Sequence, residues 1–282
     1  MAREVGAEMA VGERHRIGGV ELRLGHPDEL SMDWVGNSDL QLQLMAAWTV
    51  LDPGDLPLNP RLIGKPGVGK TTLAYATARA MGREVYLFQA TMDTRPEDLL
   101  VTPVVGEGKS IEYVASPLVT AMIRGGVAIL DEGNRMSEKS WASLAPLLDS
   151  RRYVESVVAG IKIPAHEDFR FCATMNDDSS TFELPEYIFS RLQPQITVDY
   201  PDSEDEMLIL KRNLPHVSQE VLSYVQRFLS RARGDGEDYT VRDGINVGRY
   251  AARLVQLQEK TVRSAVSQAV EMILGDEAQS YV

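Results

Sequence analysis

Eight consecutive residues, Gly64-Lys65-Pro66-Gly67-Val68-Gly69-Lys70-Thr71, carry the first chemistry in this chain. They match the spacing G-x-x-x-x-G-K-[ST], in which glycines let backbone N–H groups turn inward around a phosphate. The apolar run RLIG leads into the loop and TTLAYATARAMG follows it, so the loop opens a helix whose N-terminus adds positive potential. In that pattern Gly64, Pro66, Gly67, Val68, Gly69 and Thr72 line the phosphates, Lys70 reaches the β/γ-phosphates and Thr71 ligates Mg²⁺. Further along, Val127-Ala128-Ile129-Leu130 is an apolar run that ends in Asp131 and Glu132. A strand-end Asp at such a site holds the Mg²⁺ shell, here together with Thr71, and the adjacent Glu can polarise an attacking water. These two groups read as a nucleotide site. Neither a GTPase-like N-K-x-D nor an LSGGQ signature occurs in the chain.

The elements that must position these residues alternate. RLIG, EVYLF, VAILDE, RFCATMN and QITVDY read as short apolar strands, and TTLAYATARAMG, SPLVTAMIRGG and SEKSWASLAPLLDS as helices. Apolar strands alternating with helices predict parallel pairing with both sheet faces covered. LQLQLMAAWTVL predicts a buried helix over Asp39–Leu51, stopped by DPGDLPLNP. Two stretches read as hairpins, one turning at Gly106–Gly108 and one near Gly160, and Val20, Leu22 and Leu24 alternate as in a short edge strand. Beyond Pro201 only helical spacing remains. The expected organisation is an N-terminal extension over 1–30, an α/β core over 31–200 and a small all-helical lid domain over 201–282.

The composition adds bounds. Twenty-nine basic against 41 acidic side chains give a net charge of −12, which argues against nucleic acid as a partner because phosphate neutralisation needs Lys and Arg. No apolar run reaches the ~18 residues of a membrane span. The first residues, MAREVGAEMAVGERHR, carry charges every few positions and contain no secretory apolar block. The single Cys172, on an apolar strand, fits a reducing cytoplasm and a core position. The four histidines lie at no metal-site spacing.

With these residues in view, the chain resembles the AAA+ ATPases, and within them the MoxR group close to the dynein-related and midasin-like modules. Asp131-Glu132-Gly133-Asn134-Arg135 is similar to that group's D-E-I-N-R, and Phe171-Cys172-Ala173-Thr174-Met175-Asn176 to its sensor 1 strand. Leu184–Arg191 resembles L-P-E-A-x-x-D-R, Tyr200-Pro201 with Glu204 and Glu206 resembles Y-P-x-x-x-E, and Thr240-Val241-Arg242 resembles the S-P-R of sensor 2. Trp34-Val35-Gly36-Asn37 sits where relatives have V-G-Q, so Val35 and Gly36 would lie beside the adenine.

The resemblance implies a P-loop AAA+ core with a parallel sheet and β-hairpin insertions, followed by the helical lid. It implies ATP and Mg²⁺ as cofactors. It also implies roles: Asn176 and Glu132 orienting the water, Arg242 contacting the γ-phosphate from the lid, and Arg191 reaching the neighbouring subunit's ATP. Arg135, Arg151 and Arg152 are candidates for charges at that subunit interface or for solvated helix ends. Tyr113 is either a packing residue or a pore grip. Lys65 adds charge beside the phosphates.

The expected function is Mg²⁺-dependent ATP hydrolysis in a homo-oligomeric ring, a hexamer, that remodels or activates a protein partner, with a von Willebrand A domain protein as the implied companion. Two alternatives stay open: a nucleic-acid-directed motor subunit of restriction or helicase type, and a nucleotide-gated assembly scaffold.

Overall fold

A computed structural model describes residues 13–31, 33–106, 109–177, 184–258 and 260–282. In chain order the first elements are β1 (Arg14–Ile17), β2 (Val20–Arg23), α1 (Ser38–Trp48), β3 (Arg61–Gly64), α2 (Lys70–Ala80) and β4 (Val85–Gln89). Then come α3 (Pro96–Leu99), β5 (Val101–Val105), β6 (Ile111–Ala115), α4 (Pro117–Arg124), β7 (Val127–Asp131) and α5 (Glu138–Leu144). A hairpin of β8 (Tyr153–Ser156) and β9 (Ile161–Pro164) precedes β10 (Arg170–Asn176), α6 (Glu186–Phe189) and β11 (Gln195–Thr197). The chain closes with α7 (Ser203–Asn213), α8 (Gln219–Gly234), α9 (Val241–Gln258) and α10 (Val262–Leu274).

The five apolar runs form one parallel sheet in the order β11-β3-β10-β7-β4. Both faces are buried, and the period of two is visible in which core each residue joins. Ala128, Leu130, Phe171 and Ala173 pack on one side, and Val127, Ile129 and Cys172 on the other. On the second side, the last residue of helix α1 is pinned to β10 by two bonds: Trp48 Nε1 donates to the carbonyl of Phe171 at 2.9 Å, and Arg170 Nε donates to the carbonyl of Trp48 at 2.6 Å. The helices α7 to α10 enclose a separate apolar cluster built on Leu210, Val225, Phe228, Leu229, Val247 and Val270. This is the mixed α/β architecture with hairpin insertions and a helical C-terminal region that the sequence predicts.

Two local expectations change, and one left open is decided. The strand at Val20–Arg23 is interior: β2 lies between β1 and β6 in a four-stranded sheet of order β1-β2-β6-β5, and β1 is the edge. The polar β1 gives a weak strand signal by alternation, which is why the sequence hid it. Tyr113 pairs across from Leu22 in this sheet and packs against the core, so it is a packing residue. The helix expected over SEKSWASLAPLLDS stops at Leu144, just before Pro146, which has no N–H to continue it. The turn between β5 and β6 at residues 107–108, the first 12 residues and the polar run at 178–180 lie outside the described residues. Among the described residues no helix is long and apolar enough to cross a membrane.

Gly64 closes β3 where two backbones nearly touch. A Cβ there would lie 2.2 Å from the carbonyl oxygen of Val198, an atom that cannot rotate away. Gly64→Ala is therefore expected to destabilise the fold by about 2–4 kcal/mol, read as a lowered denaturation midpoint. An unchanged midpoint would contradict this packing of β3 on the segment after β11.

Candidate nucleotide site

The loop between β3 and α2 wraps the strand end so that Lys70, first residue of α2, turns back into it. Lys70 is 6% exposed, and its Nζ donates to the carbonyls of Gly64 and Lys65, both at 2.8 Å, and to Asn176 Oδ1 at 2.9 Å. Three oxygen acceptors around a buried ammonium group offset its desolvation. Such an arrangement holds the cation ready for an anionic group in the loop.

The left-handed turn at Gly67 (φ 82°) brings the loop against the helical region. A Cβ there would come 2.7 Å from Thr240 Oγ1 and 3.3 Å from Arg242 Cβ. A cavity of about 200 Å³ opens beside it, lined by Gly69, Lys70, Thr71, Asp131, Glu132 and Asn176 among others, with Pro66, Gly67, Thr72 and Arg242 also on its wall. A second cavity of about 280 Å³ is bounded by Trp34, Val35, Gly36, Val68, Asp199 and Tyr200. Apart from Gly64, which lines neither, the sequence-predicted phosphate and adenine residues thus fall into two hollows that share the P-loop as a wall.

The parallel register sets the polar end of the sheet. β7 and β10 are neighbours, so Asp131 and Glu132 come to face Thr174 and Asn176. Thr71 Oγ1 donates to Asp131 Oδ1 at 2.7 Å, and Thr174 Oγ1 donates to the same carboxylate oxygen. Thr174 Oγ1 also accepts the backbone N–H of Glu132 at 3.1 Å. Glu132 adopts a left-handed backbone (φ 54°, ψ 40°), and its Oε1 accepts from Asn176 Nδ2 at 3.3 Å. Asn134 in turn holds the Asn176 backbone, donating to its carbonyl at 2.8 Å and accepting its N–H at 3.4 Å.

The residues fit the groups implied for this site. Glycine-rich backbone, a buried lysine and a helix N-terminus suit a polyphosphate. A hydroxyl beside a carboxylate supplies the hard oxygen donors that Mg²⁺ takes, with phosphate oxygens completing its shell.

Arg191, Arg151 and Arg152 sit apart from this cluster. Arg191, just after α6, is not on the cavity wall. Its Nε lies 3.3 Å from Asp149 Oδ2, and it also donates to the carbonyl of Tyr187. Asp149 is held down at about 2 by Arg151, with Arg191 adding to the effect, so its charge persists through the physiological range. Buried Arg61 anchors the same corner by donating to the carbonyls of Phe189 and Leu192 while stacking 3.8 Å over the Phe189 ring. Arg151 is bound to Asp149, and Arg152 donates to the carbonyl of Phe169 at 3.0 Å, so both serve contacts within the chain.

Lys65 departs from its expected place beside the phosphates. Its Nζ pairs with Asp238 Oδ2 at 3.0 Å, tying the P-loop to the turn between α8 and α9. The pairing with Asp238 is also what raises the Lys65 pKa. Nearby, Arg233 bonds buried Glu206 at 2.7 Å and lies 4.4 Å over the Tyr200 ring. Glu206, in the acidic run that follows Tyr200-Pro201, therefore braces the helical region against the Tyr200 wall of the second cavity. Sequence reasoning assigned no role to Thr174, Asn134, Asp149 or Arg61. The first two stood inside quoted motifs, whereas Asp149 and Arg61 carried no local signal.

Residues 61–192 match the model of the AAA domain (dynein-related subfamily). Over that segment the chain carries an AAA+ ATPase domain related to the MoxR, RuvB and dynein-related clade, a domain class that hydrolyses ATP. Among its relatives is the Bacillus subtilis protein YeaC, 26% identical over 260 residues that cover 88% of this chain and 74% of that one. Chaperone MoxR1 of Mycobacterium tuberculosis is 28% identical over 57% of this chain and 42% of its own length. The Holliday junction branch migration complex subunit RuvB of Chlamydia felis is 26% identical over 84% of this chain and 65% of its own. The solved Thermotoga maritima RuvB branch migration motor shares the fold, with a TM-score of 0.59, 17% identity and 87% and 72% of the two chains covered.

The RuvB similarity corrects one expectation. Net charge was read as an argument against nucleic acid, yet a relative over 84% of the chain is named for a DNA junction. The physical reason is that net charge sums over a whole chain and does not describe one surface. On α9, for example, Arg242, Arg249 and Arg253 are exposed, and no ion pair joins them to an acidic side chain among the described residues.

Proposed function

We propose that this ATPase is a motor subunit that works in a closed oligomer, a ring, and that its hydrolysis drives movement of a nucleic-acid partner. The observation that supports the chemistry is the chain of contacts Lys70–Asn176–Glu132, with Thr71 and Asp131 beside it. In this reading Lys70 leaves its carbonyl acceptors for the β/γ-phosphates. Thr71 and Asp131 would hold Mg²⁺, which would supply positive charge at the phosphates. Asn176 and Glu132 orient a water, and Glu132 accepts its proton as the attack proceeds. Arg242 reaches the phosphates from the helical region, which acts as a lid. Arg191 completes the site of the adjacent copy, where its charge stabilises the transition state.

The nucleic-acid reading rests on the similarity to RuvB over most of the chain. It predicts that branched or duplex DNA raises steady-state hydrolysis several-fold, with a steep fall as salt rises because phosphate contacts release counterions. A rate unmoved by any DNA or RNA at low salt would overturn it. The kinship with chaperone MoxR1 supports protein remodelling as the second reading. That reading expects stimulation by a protein that co-purifies with a Glu132→Gln chain in ATP.

A further inference from the structure

The turn between α5 and β8 meets the residues after α6 at one corner, and both backbone and side chains hold it. In the backbone, Asn59 Nδ2 donates to the carbonyl of Leu148 at 3.0 Å and to that of Arg191 at 3.5 Å. Arg61 holds the carbonyls of Phe189 and Leu192 on either side of it. In the side chains, Asp149 Oδ2 accepts Arg191 Nε at 3.3 Å, and the carbonyl of Tyr187 accepts Arg191 Nη1. Nη2 is the edge of the guanidinium with no hydrogen bond among the described residues. The Arg191 side chain is 28% exposed, so one edge of the fork stays open to another chain while the other is held.

We propose that Asp149 is a positioning residue that fixes the Arg191 guanidinium in the orientation from which it serves the nucleotide site of the neighbouring copy. The inference rests on the reading of Arg191 as a residue that acts across the interface. An untethered arginine samples many rotamers, whereas a transferring phosphoryl group is stabilised only from a narrow range of positions. Asp149 removes that freedom at the Nε edge. With Tyr187 alone the guanidinium would keep one tether and could turn about it. Asp149 is itself fixed, because Arg151 donates to it from its backbone N–H and Nε, both at 3.0 Å, and from Nη2 at 2.8 Å. Arg151 thus sets the carboxylate, and the carboxylate sets Arg191. The Arg151 bonds span two residues and shape the local turn, whereas the Arg191 contact spans 42. Asn59 and Arg61 hold the backbone of this corner without Asp149, so losing its side chain frees the guanidinium more than the fold.

The test compares the full chain with Asp149→Asn, which keeps the side chain's shape and removes its charge, and with Asp149→Ala, which removes the contact. The kcat and KM for MgATP are measured, with melting temperature as the fold control. Asp149→Ala is expected to lower kcat by about 10- to 100-fold, the scale for a catalytic group displaced by about 1 Å. KM should stay within about two-fold, and Asp149→Asn should fall between Asp149→Ala and the parent. Mixed oligomers then separate positioning from a general defect. Asp149→Ala keeps an intact Glu132 but a loosened Arg191, so mixing it with Glu132→Gln should raise hydrolysis several-fold above the average of the separate proteins. Mixing it with Arg191→Ala should raise nothing, because neither chain supplies a fixed arginine. Asp149→Asn carries the same mixing test if Asp149→Ala does not fold. Recovery with Arg191→Ala, no recovery with Glu132→Gln in oligomers shown to mix, or folded Asp149 variants with the parent kcat would overturn the positioning role. That failure is distinct from full activity of Arg191→Ala, which would remove the trans-acting arginine itself and the positioning role with it.

Discussion

Glu132→Gln is expected to leave nucleotide affinity within a few-fold of the parent while lowering hydrolysis by about 10²–10⁴-fold, the range for loss of a positioned base. The amide can still meet Asn176 Nδ2 through its oxygen, so the geometry of the sheet edge survives. What it loses is the capacity to take the proton from water, a contribution made in the transition state alone. Lys70→Ala should behave in the opposite way. Its ammonium group sits on Gly64 O, Lys65 O and Asn176 Oδ1, all acceptors that fold the loop around an anion, so binding itself should fail. Equilibrium binding of a fluorescent ATP analogue and phosphate release measured on both variants separate the two roles. Parent-like turnover by Glu132→Gln would remove it from the mechanism.

Arg191→Ala is expected to reduce kcat by about 10³-fold or more, the scale for an arginine that stabilises a transferring phosphoryl group. Within its own chain Arg191 is held by Asp149 and by the carbonyl of Tyr187, and it does not line the cavity around Lys70. In the proposed mechanism this arginine, held by its own chain and off the wall of its own cavity, serves another copy. Arg191→Lys should rescue little, because a lysine lacks the planar fork that keeps both the Asp149 contact and a phosphate contact available. Melting temperature should change by only a few degrees, since Arg151 still holds Asp149 and Arg61 still anchors the α6 corner. Full activity of folded Arg191→Ala would end the finger assignment.

Much of this site is written in local spacing. The P-loop, the Asp131-Glu132 strand end and the β10 strand each carry their chemistry within eight residues, so periodicity and motif place them together before any fold is known. Alternating apolar strands and helices likewise dictate a parallel sheet, and the end of strand signal at Pro201 dictates the helical region. What local reading misses are contacts between distant segments. Thr174 meets Asp131 from 43 residues away, Arg191 meets Asp149 from 42, and Lys65 meets Asp238 from 173. Lys65 shows why this matters. Its position in the P-loop suggests phosphate, whereas an exposed carboxylate brought in by the helical region takes the charge instead. The error over nucleic acid has the same root, because a chain-wide sum of charges carries no information about where Arg242, Arg249 and Arg253 come to lie.

The central claim is that each complete site is assembled from two copies of the chain. It is tested most directly by mixing two inactive proteins, Arg191→Ala and Glu132→Gln, in ATP and Mg²⁺ and measuring hydrolysis against each alone. In a random equal mixture roughly a quarter of the interfaces would pair an intact Glu132 with an intact Arg191, so activity should reappear well above either parent variant. Differently tagged chains that co-purify would establish that mixed oligomers form. Recovered hydrolysis is the predicted result. Mixed oligomers that stay as inactive as the separate proteins would contradict assembly of the site across the interface.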